Sequence, residues 1–378
     1  MEPFFRRTWA DIDLDAVRDN YRYIRSRLAA DCRLMAVVKA DAYGHCVQRI
    51  AQVYNELGAE WFAVSNLEEA LQLRQMGLSQ RILILSYTPP KAAALLAEQG
   101  ITTAVVSREH AEALNQAAAA AGVNLTVHIK VDTGMTRVGL RHDEDILAVC
   151  RLPHVNAEGI FTHFATADTE DEAFVRTQFA AFMAHIAAAE QAGITFPLRH
   201  CCNSAATLRY PDMHLDMVRP GIILYGCMPD GSVEPNLRPV MSLKTAVSQV
   251  KSIEAGETVS YGRTFTAPGR MQVATVPIGY ADGYSRLFSN RAPMLVKGNR
   301  ACIVGNVCMD QTVLDITNIE DVEAGTTVTV FGKGLPVEEL AALAGTISYE
   351  LLCLVGKRVP RVFWQNNEIV GAYDGILP

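Results

Sequence analysis

LMAVVK, residues 34–39, is the first of eight short apolar or β-branched runs that recur at intervals of roughly 20–40 residues in the first part of the chain. The other seven are FAVS (62–65), ILILS (82–86), TTAVV (102–106), LTVHIKVD (125–132), AEGIFTHF (157–164), PLRHCC (197–202) and LDMVRPGIIL (215–224). The stretches between them are rich in Ala, Leu and Glu and several end at glycine, which is typical of helices. Eight strand-then-helix units predict an α/β fold built as a (β/α)8 TIM barrel. The alternative, an open doubly wound sheet, lacks the GxGxxG turn that would favour it.

The pattern changes near residue 235, after which strands follow one another with little helix between them. The strand candidates are TAVSQVKSI, GETVSYGRTFTA, QVATVPIGYA, APMLVKG, TVLDIT and TTVTVFG. A helical stretch at 337–356 interrupts them, and RVPRVFW closes the series. The sequence therefore predicts a barrel over residues 1–234 and a separate, mainly β domain over residues 235–378.

Composition excludes several classes of function. The 378 residues carry 34 Lys and Arg against 41 Asp and Glu, whereas nucleic-acid binding needs clustered positive charge. No apolar run reaches the roughly 18 residues of a membrane span, and the N-terminal MEPFFRRTWADIDLDAV lacks the apolar core of a secretory signal. The nine cysteines are scattered and contain no CxxC pair. We therefore expect a cytoplasmic small-molecule enzyme with no nucleic-acid partner, no membrane association and no metal site.

Several polar residues and one glycine stand at or just after predicted strands, where the active sites of barrels gather. They are Lys39, Arg137, His163, Asn203, Ser204, Arg219 and Gly221. Any one of them alone could be a solvated strand end. Their grouping on one rim predicts an active site there.

AVVKADAYGH (36–45) is the strongest local signal, because Lys39 ends an apolar strand that should lie inside the barrel. Burial disfavours a charged ammonium and so produces the neutral amine that a Schiff base requires. The alternative is a lysine that extends its ammonium to the rim.

An anion site is expected near the loops after the seventh and eighth strands of such a barrel. Ser204 begins a predicted helix, whose free amides favour an anion, and the PGI stretch adds the amides of Gly221 and Ile222. On its own, Asn203 before a helix is simply an N-cap.

In the second domain, VSYGRTF (259–265) and GNVCMDQ (305–311) are polar breaks between strands. From its spacing alone, Tyr261 is more simply explained as an ordinary strand aromatic than as a catalytic group.

Over essentially its whole length the chain resembles the bacterial alanine racemases. The matching stretches are, in order, TWADIDLDAV, AVVKADAYGH, KVDTGMTRVG, THFATAD, HCCNSAA, MVRPGIILYG, VSYGRTFTA, PIGYADG, GNVCMDQ and RVPR. Ten motifs in the family's order make the resemblance highly specific. It implies a pyridoxal-phosphate-dependent isomerase, a homodimer that interconverts L- and D-alanine by two-base proton transfer on a PLP aldimine and provides D-alanine for peptidoglycan precursors.

By this resemblance Lys39 carries the cofactor and is one base, while Tyr261, supplied by the partner subunit, is the other. Racemisation needs bases on both faces of the planar carbanion, since each removes the proton of one enantiomer. A tyrosine hydroxyl is a weak base unless cations stabilise its phenolate. The family's pattern points to His163 and Arg219 as those cations.

The resemblance also assigns the residues around the ring. Arg219 matches the partner of the pyridine nitrogen, where a permanent positive charge discourages protonation and limits side reactions. Arg137, with Met309 from the other subunit, matches the group facing the substrate carboxylate. Lys130 matches a lysine that can be carboxylated, although an unmodified strand lysine is the simpler alternative.

The full set of cofactor-binding residues implied in this way is Lys39, Tyr43, His163, Asn203, Ser204, Arg219, Gly221, Ile222 and Lys357. Tyr280 is placed at the substrate entrance. Two positions depart from the family: Lys357 stands where some members have a phosphate-contacting tyrosine, and Cys46 replaces a glycine. Because position 357 borders the entrance, Lys357 leaves the substrate preference open.

Alternatives of two kinds follow. Within enzymes, Lys357 motivates a serine or broad-specificity amino-acid racemase of the same fold. Outside that class, a non-catalytic PLP carrier would need neither the second domain nor Tyr261. A barrel decarboxylase would place an acidic group where this chain has Arg219.

Overall fold

The computed structural model describes residues 7–377. Its helices are α1 (Leu14–Ser26), α2 (Lys39–Gly44), α3 (Val47–Glu56), α4 (Leu67–Gln75), α5 (Ala93–Glu98), α6 (Arg108–Ala121), α7 (Asp143–Cys150), α8 (Glu172–Gln191), α9 (Ser204–Arg209), α10 (Val337–Ala344) and α11 (Ser348–Leu354). Asp13, Asn66 and Ser107 cap α1, α4 and α6 by accepting a hydrogen bond from the first turn. These helices therefore begin where side-chain oxygens satisfy their free amides.

The strands are β1 (Thr8–Asp13), β2 (Arg33–Val37), β3 (Trp61–Val64), β4 (Arg81–Ile84), β5 (Ile101–Val105), β6 (Leu125–Lys130), β7 (Val155–Phe161), β8 (Leu198–His200), β9 (Met217–Val218), β10 (Met241–Ala246), β11 (Gln249–Ile253), β12 (Thr258–Val259), β13 (Phe265–Thr266), β14 (Met271–Val276), β15 (Pro293–Val296), β16 (Asn299–Cys302), β17 (Thr312–Asp315), β18 (Thr327–Phe331), β19 (Arg361–Gln365) and β20 (Glu368–Tyr373).

Strands β2 to β9 form a parallel sheet in the order β8-β7-β6-β5-β4-β3-β2-β9. Its two edges meet, because the Asp216 amide donates to the Arg199 carbonyl at 3.1 Å and the Arg219 amide donates to the Cys202 carbonyl at 2.9 Å. The sheet thus nearly closes into a barrel with helices between successive strands. The predicted fold class is confirmed.

All eight predicted runs overlap barrel strands, and every strand ends before its predicted run does. The first strand stops at Val37, so Lys39 lies just beyond it. The last run shrinks to Met217–Val218, because Pro220 has no N–H to donate to a strand ladder and the chain continues as a 3₁₀ turn at Ile222–Tyr225.

The second half of the chain is mainly β, as predicted. A seven-stranded sheet has the order β16-β15-β18-β10-β1-β19-β20, beside a three-stranded sheet, β11-β14-β17, and the pair β12-β13. Strand β1 pairs antiparallel with β10 and parallel with β19. The chain therefore passes through the second sheet before it enters the barrel.

The largest apolar cluster runs without a break from the barrel into the second half of the chain and includes Ile12, Val37, Tyr225, Val276 and Phe331. Burial of this continuous apolar surface stabilises the contact between the two parts of the chain. Among residues 7–377, no helix is both long and apolar enough to cross a membrane.

Candidate active site

A cavity of about 420 Å³ opens at the C-terminal ends of the barrel strands. Nine predicted site residues line it: Lys39, Tyr43, Lys130, Arg137, His163, Asn203, Ser204, Arg219 and Gly221. The predicted residues Ile222, Tyr261, Tyr280, Met309 and Lys357 do not. Sequence reasoning missed Ser65, Ser86, Phe161 and Tyr349, which also line the cavity. The predicted residues that line the cavity thus all belong to the barrel, and no predicted residue of the β domain lines it.

Lys39 begins a tight turn directly after β2. Burial lowers the pKa of its ammonium and the nearby charge of Arg137 lowers it further, whereas Glu69 acts in the opposite direction. The lowered pKa favours the neutral, nucleophilic form of this amine.

The turn after Lys39 has an unusual backbone. Ala40, Asp41, Ala42 and Tyr43 all have φ between 53° and 54°, in the left-handed region. Since both Lys39 and Tyr43 line the cavity, this compact turn presents the two side chains to one space.

Hydroxyl groups and one amide gather at one end of the cavity. The Gly221 amide donates to Ser204 Oγ at 2.7 Å, and Tyr349 is hydrogen-bonded to the same serine. Tyr43 packs against Tyr349 with ring centroids 5.9 Å apart, and its hydroxyl lies so close to Gly221 that a Cβ there would collide with it. Only glycine leaves room for this cradle, whose donors suit a phosphate group.

Two predicted phosphate residues play different parts in the structure. Asn203 caps α9, with its Oδ1 accepting from the Ala206 amide at 3.1 Å, which is the ordinary role considered for it from sequence. The Ile222 side chain is fully buried in the apolar core, so only its backbone can face a ligand.

The floor of the cavity is formed by Arg219, which is 4% exposed. Its Nη2 donates to the Thr162 carbonyl at 2.8 Å and lies 3.3 Å from His163 Nδ1, and its Nη1 lies 2.8 Å from His200 Nδ1. Burial lowers the pKa of the guanidinium to about 10, which still leaves it charged near neutral pH. The site therefore has a fixed cation at its base.

The pKa of His163 lies well below its ordinary value, because the ring is desolvated and the charge of Arg219 faces it. Of the two cations suggested by the resemblance, Arg219 keeps its charge near neutral pH, and His163 is a neutral acceptor.

Lys130 lies in the cavity wall with its Nζ donating to the Val131 carbonyl at 2.9 Å and lying 5.4 Å from the centre of the Phe161 ring. Burial, with the charge of Arg219, lowers the pKa of this lysine to about 7. Arg137 lines the same cavity. A substantial fraction of the Lys130 amines is therefore neutral near neutral pH.

Tyr261, Met309 and Tyr280 lie together on a surface of the β domain, which we call the aromatic platform. Their exposed fractions are 75%, 53% and 43%. Asn306 Nδ2 donates to the Tyr261 carbonyl at 2.7 Å, and the Ala281 amide donates to the Met309 carbonyl at 3.0 Å. Hydrogen bonds thus fix the loops that carry these side chains, which do not line the cavity of their own chain.

The two residues that depart from the family's pattern, Lys357 and Cys46, have different surroundings in the structure. Lys357 is exposed. Burial raises the pKa of the Asp41 carboxyl, and the charge of Lys357 acts in the opposite direction with a smaller effect. Cys46 is buried next to α3, and burial raises the pKa of its thiol to about 12. Cys46 is therefore an unreactive packing residue.

The residues of the cavity fit pyridoxal phosphate. A half-buried amine, a cradle of hydroxyls and one amide, and a permanent cation suit the aldehyde, the phosphate and the pyridine ring respectively. A volume of about 420 Å³ also falls within the range of ligand pockets. Within residues 7–377, no cluster of three or more His, Cys, Asp or Glu side chains is arranged to hold a metal ion.

Comparison with known families gives two matches that together cover most of the chain. Residues 12–229 match the family described as Alanine racemase, N-terminal domain, and residues 240–363 match Alanine racemase, C-terminal domain. The alanine racemase of Desulfovibrio desulfuricans is 46% identical over 370 residues, covering 96% of this chain and 100% of that protein.

Solved structures give the same result. The alanine racemase of Clostridium difficile 630 aligns with a TM-score of 0.94 at 38% identity, covering 98% of this chain and 99% of that chain. The alanine racemase from Bacillus anthracis with bound L-Ala-P aligns with a TM-score of 0.93 at 34% identity, covering 99% of each chain.

Proposed function

The chain belongs to the alanine racemase family, and we propose that the barrel cavity around Lys39 is where it interconverts L- and D-alanine. The protein is an isomerase and its cofactor is pyridoxal phosphate. One observation supports the location above all others: Lys39, the Ser204–Gly221 cradle and Arg219 line a single cavity.

When bound, the cofactor supplies an electron sink that stabilises negative charge at the Cα of the amino acid. Lys39 would hold it covalently, and Tyr43, Ser204, Tyr349 and the amides of Gly221 and Ile222 would hold its phosphate. Arg219 would be the partner of the pyridine ring. Because a guanidinium has donors only, it would leave the ring nitrogen unprotonated and moderate the sink. His163, Asn203 and Lys357 complete the set of cofactor-binding residues.

Two groups move the substrate's proton. Lys39 Nζ takes or returns the proton on one face of Cα, and the hydroxyl of the partner subunit's Tyr261 does so on the other. The proposal that a partner is needed is supported by the aromatic platform, since 75% of Tyr261 is exposed and it lies outside the cavity of its own chain. Tyr280 lies at the entrance on the same platform.

Arg137 and the Met309 backbone bind the substrate carboxylate. Lys130 is carboxylated: its neutral amine attacks carbon dioxide, forms a C–N bond and releases one proton. The lowered pKa of Lys130, about 7, supports this step, because only the unprotonated amine reacts. The carbamate then provides a negative neighbour for Arg137.

We further propose a cytoplasmic homodimer that supplies D-alanine for peptidoglycan precursors. All nine cysteines are free thiols, which suits a reducing compartment. The domain boundary near residues 234 and 235 is likewise proposed, and it is supported by family matches that end at 229 and resume at 240.

The test combines activity with chemical labelling. Purified protein is incubated with L- or D-alanine and the products are separated by chiral chromatography, with L-serine as the competing substrate. Borohydride reduction followed by peptide mapping should place the cofactor on Lys39, and Lys39→Ala should lose both the label and nearly all racemisation. A label on Lys130 or Lys357 would contradict the assignment, and a clear preference for serine would overturn the substrate.

A further inference from the structure

Glu69, in the first turn of α4, connects the C-terminal ends of β2 and β3. Its Oε1 accepts from the Ala40 amide at 2.7 Å, and its Oε2 accepts from the Ser65 amide at 2.7 Å. Ala40 follows Lys39 directly, and Ser65 follows β3 and lines the cavity. One half-buried carboxylate therefore ties the ends of β2 and β3 together beside Lys39.

The segment that Glu69 holds is a strained one. Non-glycine residues enter the left-handed region singly as a rule, because Cβ crowds the following carbonyl there. In this chain four do so in succession, from Ala40 to Tyr43. Such a conformation persists only where surrounding contacts over-determine it.

Charged side chains provide those contacts along the turn. Glu69 binds its first amide, the Asp41 carboxylate accepts from the Val47 amide at 2.7 Å, and the buried Arg361 donates through Nε to the Gly44 carbonyl at 3.0 Å. Glu69 is the one of the three that reaches the peptide next to Lys39.

We propose that Glu69 is a positioning residue, which holds the left-handed turn so that the Lys39 amine is directed into the cavity. The inference rests on the proposed role of Lys39. A simpler role, helix capping, is already filled by Asn66, whose Oδ1 accepts from the Glu69 amide at 2.9 Å. The side chain of Glu69 is therefore free to bridge the two strand ends.

Three variants separate these roles. Glu69→Gln keeps the shape but cannot accept from both amides, since one terminal atom becomes a donor. Glu68→Gln makes the same charge change one residue earlier, on an exposed side chain. Asn66→Ala removes the cap of α4 and leaves the Ala40 contact intact.

Two measurements use the full-length chain. Hydrogen exchange of the cofactor-free protein reports on peptides that span residues 39–47. Stopped-flow absorbance after addition of pyridoxal phosphate reports the rate of covalent attachment. For Glu69→Gln we expect exchange about tenfold faster and attachment about tenfold slower, as the loss of a charge-assisted hydrogen bond implies. Glu68→Gln and Asn66→Ala should stay within about twofold of wild type in both measurements.

A rescue experiment adds a signature that capping alone would not produce. Glycine enters the left-handed region without cost, so Ala40→Gly should restore part of the attachment rate lost in Glu69→Gln. If Glu69→Gln does not fold, Glu69→Asp, one methylene too short to reach both amides, replaces it with the same expected direction.

The inference is overturned if Glu69→Gln matches wild type, or if Asn66→Ala reproduces its effects. A wild-type label on a lysine other than Lys39 would instead overturn the proposed function. The exchange measurement stays informative in that case, because it needs no cofactor.

Discussion

Arg219 Nη1 lies 2.8 Å from His200 Nδ1 in the floor of the barrel. A guanidinium can only donate, so Nδ1 is the acceptor and the ring proton of His200 sits on Nε2. That nitrogen lies 2.8 Å from His128 Nδ1, so His128 carries its own proton on Nε2, which faces Glu158 at 3.8 Å. One arginine thus fixes the tautomers of two buried histidines and keeps the positive charge on itself.

Loss of the acceptor at position 200 should weaken catalysis. His200→Leu leaves one donor of the buried Arg219 unpaired, which costs roughly 1–3 kcal/mol. We expect the free energy of unfolding to fall by that amount, and kcat to fall as well because the guanidinium is no longer held in position. His200→Asn presents an oxygen near the former Nδ1 and is the matched control, with a smaller loss. Equal kcat values for both variants would show that the hydrogen bond is not what matters. The cofactor absorption band should persist in both.

Stability should fall as the pH drops below about 6.5, the ordinary pKa of histidine. Burial lowers the pKa values of His45, His128, His163 and His200, that of His45 to about 3. Above pH 6.5 each histidine is neutral in the folded and in the unfolded chain. Below pH 6.5 the unfolded chain binds protons at these histidines, whereas the folded chain does not. Each such histidine costs about 1.4 kcal/mol per pH unit.

This acid sensitivity can be measured by urea unfolding at pH 7.5, 6 and 5, at fixed protein and cofactor concentrations. His45→Gln should reduce the proton uptake on unfolding by about one at pH 5. A free energy of unfolding that stays constant over this range would contradict the neutral histidines.

The eight barrel strands could be predicted because each is a short apolar run followed by a helical stretch, and both signals are local. The placement of Thr8–Asp13 in the second sheet could not. Its partners, β10 and β19, are more than 200 residues away along the chain, and nothing in TWADID indicates them. Pairing of this kind depends on tertiary context.

Lys130 should become carboxylated in solutions that contain bicarbonate. Its neutral amine fraction is substantial near its pKa of about 7, because burial and Arg219 disfavour the ammonium. ¹³C-bicarbonate should give a carbamate resonance in NMR spectra of the wild type, and Lys130→Arg should lack it. Since protonation competes with carbon dioxide for the amine, the signal should weaken as pH falls below 7. A wild-type spectrum with no such resonance at pH 8 would mean that the lysine is unmodified.

The site was predictable where side chains follow strand ends, as for Arg137 and His163. Two features gave no usable signal. Tyr349 reaches the cavity from α11, more than a hundred residues beyond the last barrel strand. The left-handed turn involves Ala40 and Ala42, which carry no mark of an unusual backbone, so only contacts with distant residues such as Glu69 specify it.

Tyr261→Phe should keep the cofactor band and lose most activity in both directions. The hydroxyl is the only group removed, and reversible racemisation needs both bases whichever enantiomer enters. Loss of a general base typically costs about 10²- to 10⁴-fold in rate. Tyr280→Phe, on the same platform, is the control and should retain most activity. If Tyr261→Phe racemises alanine at nearly the wild-type rate, Tyr261 is not a catalytic base.

A site shared between subunits should allow two inactive variants to restore one another. Lys39→Ala and Tyr261→Phe are each inactive alone, because every site in either homodimer carries one lesion. In a two-fold heterodimer, one site carries both lesions and the other carries neither. With random exchange about half of the dimers are mixed and half of their sites are intact, so activity should approach roughly one quarter of wild type. Were both residues in the same subunit's site, every site would carry one lesion whatever the pairing. Native mass spectrometry should first confirm the mixed dimers, since only then does an absence of recovered activity reject the shared site.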